Sequence, residues 1–197
     1  IFGLSSLMFV ELDRRAYESY TLNNSGNNIE IIESIRPSKE FIIISHGFAG
    51  SKEMMRQIAY DIANAGSNAV LFDFIGHGSN QHKLVNQPTE ITGTTQQLVN
   101  QLLDIIRFIY EKFGNDISIS LIGHSMASDI VIRASADKRI NSVIAISPYS
   151  TGITRDFPKD LLLISGQFEN HLRSHALKML KTFKPEATEN TEYADKK

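Results

Sequence analysis

Gly123-His124-Ser125-Met126-Ala127 sets a serine between small residues, directly after the apolar run Ile117 to Ile122 and directly before residues with helical spacing. A serine on a sharp strand-to-helix turn lifts its hydroxyl above the end of a sheet, and small residues two before and two after let the helix pass close to the strand. Gly123 meets that steric need, and Ala127 meets it less one methyl group. Such a hydroxyl can attack an acyl carbon. The competing reading is that Ser125 only caps the helix that follows it.

A second group, His46-Gly47-Phe48-Ala49-Gly50-Ser51-Lys52, stands in the same relation to another strand and helix. In acyl transfer the carbonyl oxygen gains negative charge, and two backbone N–H groups aimed at it lower the barrier by several kcal/mol. The Phe48 and Met126 amides are the pair that these loops offer for an oxyanion hole. Glycines at 47 and 50 allow the close approach this requires, and the helix that follows adds its positive end. The competing reading is an ordinary strand-to-helix turn.

The elements that must hold these loops follow from hydrophobic spacing. Phe41 to Ser45 is a short β-branched and aromatic run, read as a buried strand. Met54, Met55, Ile58, Ala59, Ile62 and Ala63 recur at helical spacing up to the stop at Ala65-Gly66. A strand is expected over Asn68 to Asp73, then a turn at Gly76 to Asn80 and a polar loop through Gln87-Pro88. Leu98, Leu102, Ile105, Ile106, Ile109 and Phe113 form one helical stripe closed by Gly114. Further on come a strand over Ile117 to Ile122, a helix over Met126 to Ala136, and strands over Ile140 to Ile146 and Asp160 to Ser165. A last helix carries Leu172, Ala176, Met179, Leu180 and Phe183. Strands that are continuous apolar runs alternating with helices predict an α/β domain: a mostly parallel sheet flanked by helices on both faces.

The domain is expected to occupy residues 1–184 with its core at 41–183, followed by a polar tail over 185–197. The chain has 197 residues, 42% of them hydrophobic, a formal net charge of -2 and no cysteine. That balance offers no basic field for nucleic acid, and it rules out disulfides, thiolate metal sites and a cysteine nucleophile. The run Ile1 to Val10 is apolar but too short to cross a bilayer, which takes about 20 residues. It reads as a first strand or a loose terminus. A cytoplasmic location is the expectation, with a membrane tether upstream of Ile1 as the alternative; oligomeric state is left open.

Taken together, Ser45-His46-Gly47-Phe48, Asp73-Phe74-Ile75-Gly76-His77-Gly78, Gly123-His124-Ser125-Met126-Ala127 and Leu163-Ile164-Ser165-Gly166-Gln167-Phe168-Glu169 resemble the α/β-hydrolase superfamily. The lipase, esterase and dienelactone-hydrolase-like branches are the most similar. The resemblance runs from Phe41 to about Phe183. It implies a serine, acid, histidine order along the chain, in which Glu169 matches the acid and would hold the histidine and stabilise its imidazolium. The family's histidine lies after one further strand, and no residue beyond His175 matches it. Three explanations are open: the chain stops short of that strand, which is the expectation; the histidine is replaced; or a nearby one is recruited. His171 keeps the chain order but shares a loop with Glu169. His175 is expected on a helix surface, His124 is expected to point away from the serine, and His46 and His77 are read as loop-stabilising.

Asp73, His77 and His82 offer the imidazole and carboxylate groups that suit zinc, but no recognised ligand spacing supports a metal site. Asp129 is read as a helix-surface or hydrogen-bonding residue. The resemblance thus implies a serine hydrolase acting on a small-molecule ester or acyl compound through a Ser125 acyl-enzyme, with no cofactor. Only Ser147 to Lys159 separates two strands where this family often inserts a lid, so no large cap domain is expected. The alternative is a catalytically incomplete hydrolase-like domain that binds a ligand or a protein.

Overall fold

The computed structural model describes residues 18–22, 26–84, 91–149 and 160–183. Their strands are β1 (Glu18–Leu22), β2 (Asn27–Ile32), β3 (Glu40–Ser45), β4 (Asn68–Leu71), β5 (Ser118–His124), β6 (Ile140–Ile146) and β7 (Asp160–Ile164). The helices are α1 (Arg56–Ala65), entered through a 3-10 turn at Lys52–Met55, α2 (Ile91–Phe113), α3 (Met126–Ala134) and α4 (Asn170–Phe183). The run Ile1 to Val10 and the expected tail at 185–197 lie outside the described residues, as does 150–159 in the connection from β6 to β7.

The strands form one seven-stranded sheet in the order β1-β2-β4-β3-β5-β6-β7. From β4 to β7 all neighbours are parallel, and β1 and β2 join antiparallel at one edge. The parallel α/β architecture is as the hydrophobic spacing predicted. The β1–β2 pair is an addition, since the expected core began at residue 41. Its signal is Ile29 and Ile31, both essentially buried, alternating with the more exposed Asn28 and Glu30. Polar residues dominate the pair, which hid that alternation.

Each helix covers the sheet because its apolar stripe has nowhere drier to go. On one face Leu98, Leu102, Ile105, Ile106 and Ile109 of α2 pack with α3 and Met179 of α4 over β2 to β6. Burying each such side chain contributes about 1.5–3 kcal/mol. On the other face Met55, Ala59 and Ala63 at α1 pack on Ile44, Leu71 and Ile122. Gly66, at φ 108, ends α1 by donating its N–H to the Ala63 carbonyl. In α4 the expected stripe is only partly realised: Ala176 and Met179 are buried, whereas Leu180 is exposed. Leu162 and Ile164, which pair with Ile144 and Ile146, are also exposed. Among the described residues no helix covers that corner of the α1 face.

The chain steps from β3 to β4 on one side and then from β4 back across to β5 on the other. The loops after β3 and β5 therefore part at the carboxyl ends of adjacent strands, which is where open parallel sheets leave a crevice.

Candidate active site

Ser125 sits between the last residue of β5 and the first of α3 at φ 53, ψ -114. A non-glycine residue pays for that conformation, so the surroundings must enforce it. They do so through the backbone: the Ser125 N–H donates to the Ile146 carbonyl at 2.9 Å, and its carbonyl accepts from the Ser128 N–H at 2.9 Å and the Ser128 hydroxyl at 2.6 Å. A side chain at Gly123 would begin 2.4 Å from the Ala127 carbonyl oxygen. Only glycine permits that approach, while the Ala127 methyl is fully buried without obstruction. The Ser125 side chain makes no capping hydrogen bond to α3. Its hydroxyl is thus not consumed by the helix, which removes the main support for the capping reading.

The loop after β3 lies directly against this turn. A side chain at Gly47 would begin 3.2 Å from Ser125 Cβ and 3.0 Å from His124 Nδ1. His46, fully buried, places Nδ1 2.8 Å from its neighbour's carbonyl at Gly47 and Nε2 3.1 Å from the Phe74 N–H. The first contact makes Nδ1 the donor and the second makes Nε2 the acceptor, so the ring is the neutral Nδ1–H tautomer. Burial pushes its pKa below the ordinary 6.5. Among the described residues neither the Phe48 nor the Met126 N–H donates to a backbone carbonyl outside the helices and strands.

Asp73 fastens this loop to the next one. Its Oδ1 accepts the Lys52 N–H at 2.7 Å, and its Oδ2 accepts the Ser79 N–H at 2.9 Å and hydroxyl at 2.8 Å. Gln101 on α2 accepts the Ile75 N–H at 2.8 Å and donates to the Asp73 carbonyl at 3.0 Å and to Asn27. His77 places Nδ1 3.0 Å from the Ile75 carbonyl and packs its ring on Phe48 and His46. His82 lies against Gly26. Asp73, His77 and His82, weighed together from sequence as ligands, are thus each engaged in loop structure, and no group of three or more such residues could hold a metal among those described.

On the far side of Ser125, Glu169 follows β7. Its Oε2 accepts the Gly166 N–H at 2.7 Å, and both carboxylate oxygens lie within 3.0 Å of the Ser147 hydroxyl. These donors, Gly166 first and then Ser147, hold the carboxyl below the usual carboxylate range, with a smaller contribution from His124. Ser147 was not singled out in the sequence. It is a serine at φ 48 whose N–H donates to the Ile164 carbonyl at 2.7 Å, and a short serine after a strand gives no sign of that role.

His46 and His77 stabilise their loops, and His175 lies on α4, as the sequence predicted. His124 does not turn away: its Nδ1 faces Gly47, and it lines the same small cavity as Ser125. His171 is exposed, with its ring 4.7 Å from His175 and 6.4 Å from Tyr149. Among the described residues no histidine is hydrogen-bonded to Ser125 or Glu169. Asp129 is buried and forms an ion pair with Arg133 at 2.8 Å along α3, so it is a hydrogen-bonding residue and not the helix-surface one that the sequence also allowed. A larger hollow of about 450 Å³ lies at the opposite end of the sheet, beside Pro37, Phe41, Asn68 and Phe113. It is far from the carboxyl ends of the strands, where such folds bind ligands.

The model of the α/β-hydrolase fold family matches residues 40–185, and the chain belongs to that family. Among solved structures it is similar to an α/β serine hydrolase without a lid from Xanthomonas campestris, at 16% identity and TM-score 0.69, with 84% of this chain and 80% of that one covered. It is also similar to a thermostable carboxyl esterase from Bacillus coagulans solved with glycerol, at 16% identity, TM-score 0.58 and coverage of 68% and 45%. An esterase from Pyrococcus furiosus gives 22% identity, TM-score 0.56 and coverage of 67% and 52%. The chain therefore spans about half the length of the two esterases. No curated protein matches it. The family match and these neighbours agree on the α/β-hydrolase fold.

Proposed function

We propose that this chain is a serine hydrolase that cleaves carboxylic esters or related acyl compounds, with Ser125 as its nucleophile. The observation that carries the reading is the Ser125 backbone, held at φ 53 with its hydroxyl unused by α3 and the Gly47 loop packed against it. Strain of this kind persists where it serves a purpose.

In this reading the Ser125 hydroxyl oxygen adds to the ester carbonyl carbon as its proton passes to a histidine base. The carbonyl oxygen becomes an oxyanion facing the Phe48 and Met126 amides. Collapse of that intermediate breaks the ester C–O bond, and the alcohol leaves with the proton. Water then adds to the acyl-enzyme and releases the acid, returning the proton to Ser125. Glu169, whose ionised form the Gly166 and Ser147 donors favour further, stabilises the imidazolium. His171 is the first histidine to test as the base, since it follows Glu169 in the order the resemblance implies.

Hydrolysis of p-nitrophenyl butyrate tests the reading. The chain is expected to turn over the ester, Ser125→Ala to fall to background, and Glu169→Gln to lose about 10³–10⁴-fold in kcat. Loss with His171→Ala names the base. Turnover that survives Ser125→Ala would remove the proposal. No turnover by the parent chain, continued in a longer native chain, would favour a binding domain.

A further inference from the structure

We propose that His171 and His175 form a surface site for a divalent transition-metal cation such as Zn²⁺. The two stand four residues apart on α4, so the helix sets them one turn apart on the same face. Their ring centroids are 4.7 Å apart, with the planes at 67°. With Zn–N bonds of about 2.0–2.1 Å, two imidazoles that hold one tetrahedral cation have their centroids about 5 Å apart. The helix therefore already supplies the spacing. What remains is a rotation about the last torsion of each side chain, which is broad and soft.

The ring nitrogens are available for this. His171 and His175 make ring contacts with each other and with Tyr149, and neither ring is hydrogen-bonded to a described residue. Tyr149, its centroid 5.1 Å from that of His175, limits the swing of that histidine. The other close pair, His46 and His77, has centroids 5.3 Å apart and differs in this respect. There His46 commits both nitrogens, to the Gly47 carbonyl and the Phe74 N–H, and His77 places Nδ1 against the Ile75 carbonyl. That pair could chelate only by giving up loop contacts.

The charges nearby decide which kind of cation the site takes. His171 is the second residue of α4, where the helix dipole is positive, and Arg173 and Lys178 are on the same helix. Glu169, just before α4, is turned to Gly166 and Ser147. Binding must therefore come from coordination by imidazole, which suits Zn²⁺, Cu²⁺ and Ni²⁺ and not Mg²⁺ or Ca²⁺. Among the described residues no third His, Asp or Glu joins the pair, so water fills the remaining positions and the cation exchanges. The consequence for the reaction rests on the serine-hydrolase reading: a His171 ring bound to a cation cannot take the Ser125 proton, so the metal inhibits.

Isothermal titration calorimetry of the parent chain with zinc chloride reads the site without requiring turnover. One Zn²⁺ is expected to bind. His171→Ala and His175→Ala should each weaken it at least about tenfold, since each turns a chelate into a single contact. His82→Ala should change nothing, and Mg²⁺ should give no heat. His171 is exposed, so its replacement leaves the fold intact and lost binding in that variant is a lost ligand. Nitrogen NMR of the histidine rings should show His171 and His175 shifting together as Zn²⁺ is added.

Equal Zn²⁺ affinity in the parent and both variants, a dissociation constant above about 1 mM, or ring shifts at His46 and His77 instead, overturns the proposal. The two readings fail separately. Zn²⁺ held by both histidines with ester turnover unchanged keeps the metal site and removes His171 as the base. Ser125-dependent turnover in a protein whose His171 and His175 ignore Zn²⁺ keeps the reaction and removes the metal site.

Discussion

Asp73→Ala should loosen the β3 loop and the following turn together, and the cost can be worked from the contacts. Three donors meet this carboxylate: the Lys52 N–H at 2.7 Å, and the Ser79 N–H and hydroxyl at 2.9 and 2.8 Å. Hydrogen bonds to a charged group contribute about 1.5–3 kcal/mol each. The Lys52 bond is buried, so its donor is left without a partner and its value counts in full. Water can reach the part-buried Ser79 donors and recover about half of theirs. The expected loss is about 3–6 kcal/mol, a large part of the 5–15 kcal/mol that holds a typical domain. With a urea m-value of about 2 kcal/mol/M, the unfolding midpoint should fall by about 1.5–3 M. Asp73→Asn keeps one acceptor and turns an amide N–H toward a donor, so it should fall by about half as much. Asp61→Ala, on the exposed face of α1, is the control and should change stability by less than about 0.5 kcal/mol. A midpoint shift under about 0.5 M for Asp73→Ala would refute the claim that this carboxylate ties the two loops together.

Gly123→Ala puts a methyl group 2.4 Å from the Ala127 carbonyl, so α3 must move away from β5; thermal unfolding should report a loss of about 1–3 kcal/mol, and Ser125 labelling should fall with it. Gly47→Ala meets only 3.0–3.2 Å contacts to His124 and Ser125, and should reduce turnover more than it reduces stability, as paired unfolding and kinetic measurements would show. His46 is neutral in the folded state with its pKa below 6.5, whereas in the unfolded chain it gains a proton as pH falls through 6.5. Stability should therefore be full above about pH 6.5 and decline below it by up to about 1.4 kcal/mol per pH unit; urea unfolding at pH 7 and 5.5 checks this, and His46→Gln should flatten the slope. Glu169 is depressed, so its contribution is present above the unfolded carboxyl range and lost as pH falls through the folded value. Ser147→Ala removes one of its donors and should raise its pKa, read by carbon NMR of the side-chain carboxyl.

The parallel sheet was legible because buried strands such as Phe41 to Ser45 are apolar on both faces, and because α2 carries a stripe too regular for a loop. The Ser125 turn was legible for a steric reason: small residues on both sides leave a distinct trace. What holds the site in place was much less visible. Ser147, Gln101 and Asn27 are ordinary polar residues whose value comes from partners 22 to 74 positions away, and no local spacing announces such a partner. Asp73 stood out as the start of the turn through Gly78, but its three donors at Lys52 and Ser79 did not, since a carboxylate beside histidines looks alike whether it binds a cation or N–H and O–H donors. The orientation of His124 was missed because the residue before the serine ends β5, and the direction of its ring depends on Gly47 across the crevice.

The most direct test of the central claim is intact-mass analysis after exposure to a fluorophosphonate, with Ser125→Ala beside the parent chain. The account predicts one adduct on the parent, mapped to Ser125 and absent from the variant, with the rate reduced by Glu169→Gln. An adduct that persists in Ser125→Ala, or a parent chain that stays unlabelled when a longer native chain is tested beside it, would contradict it.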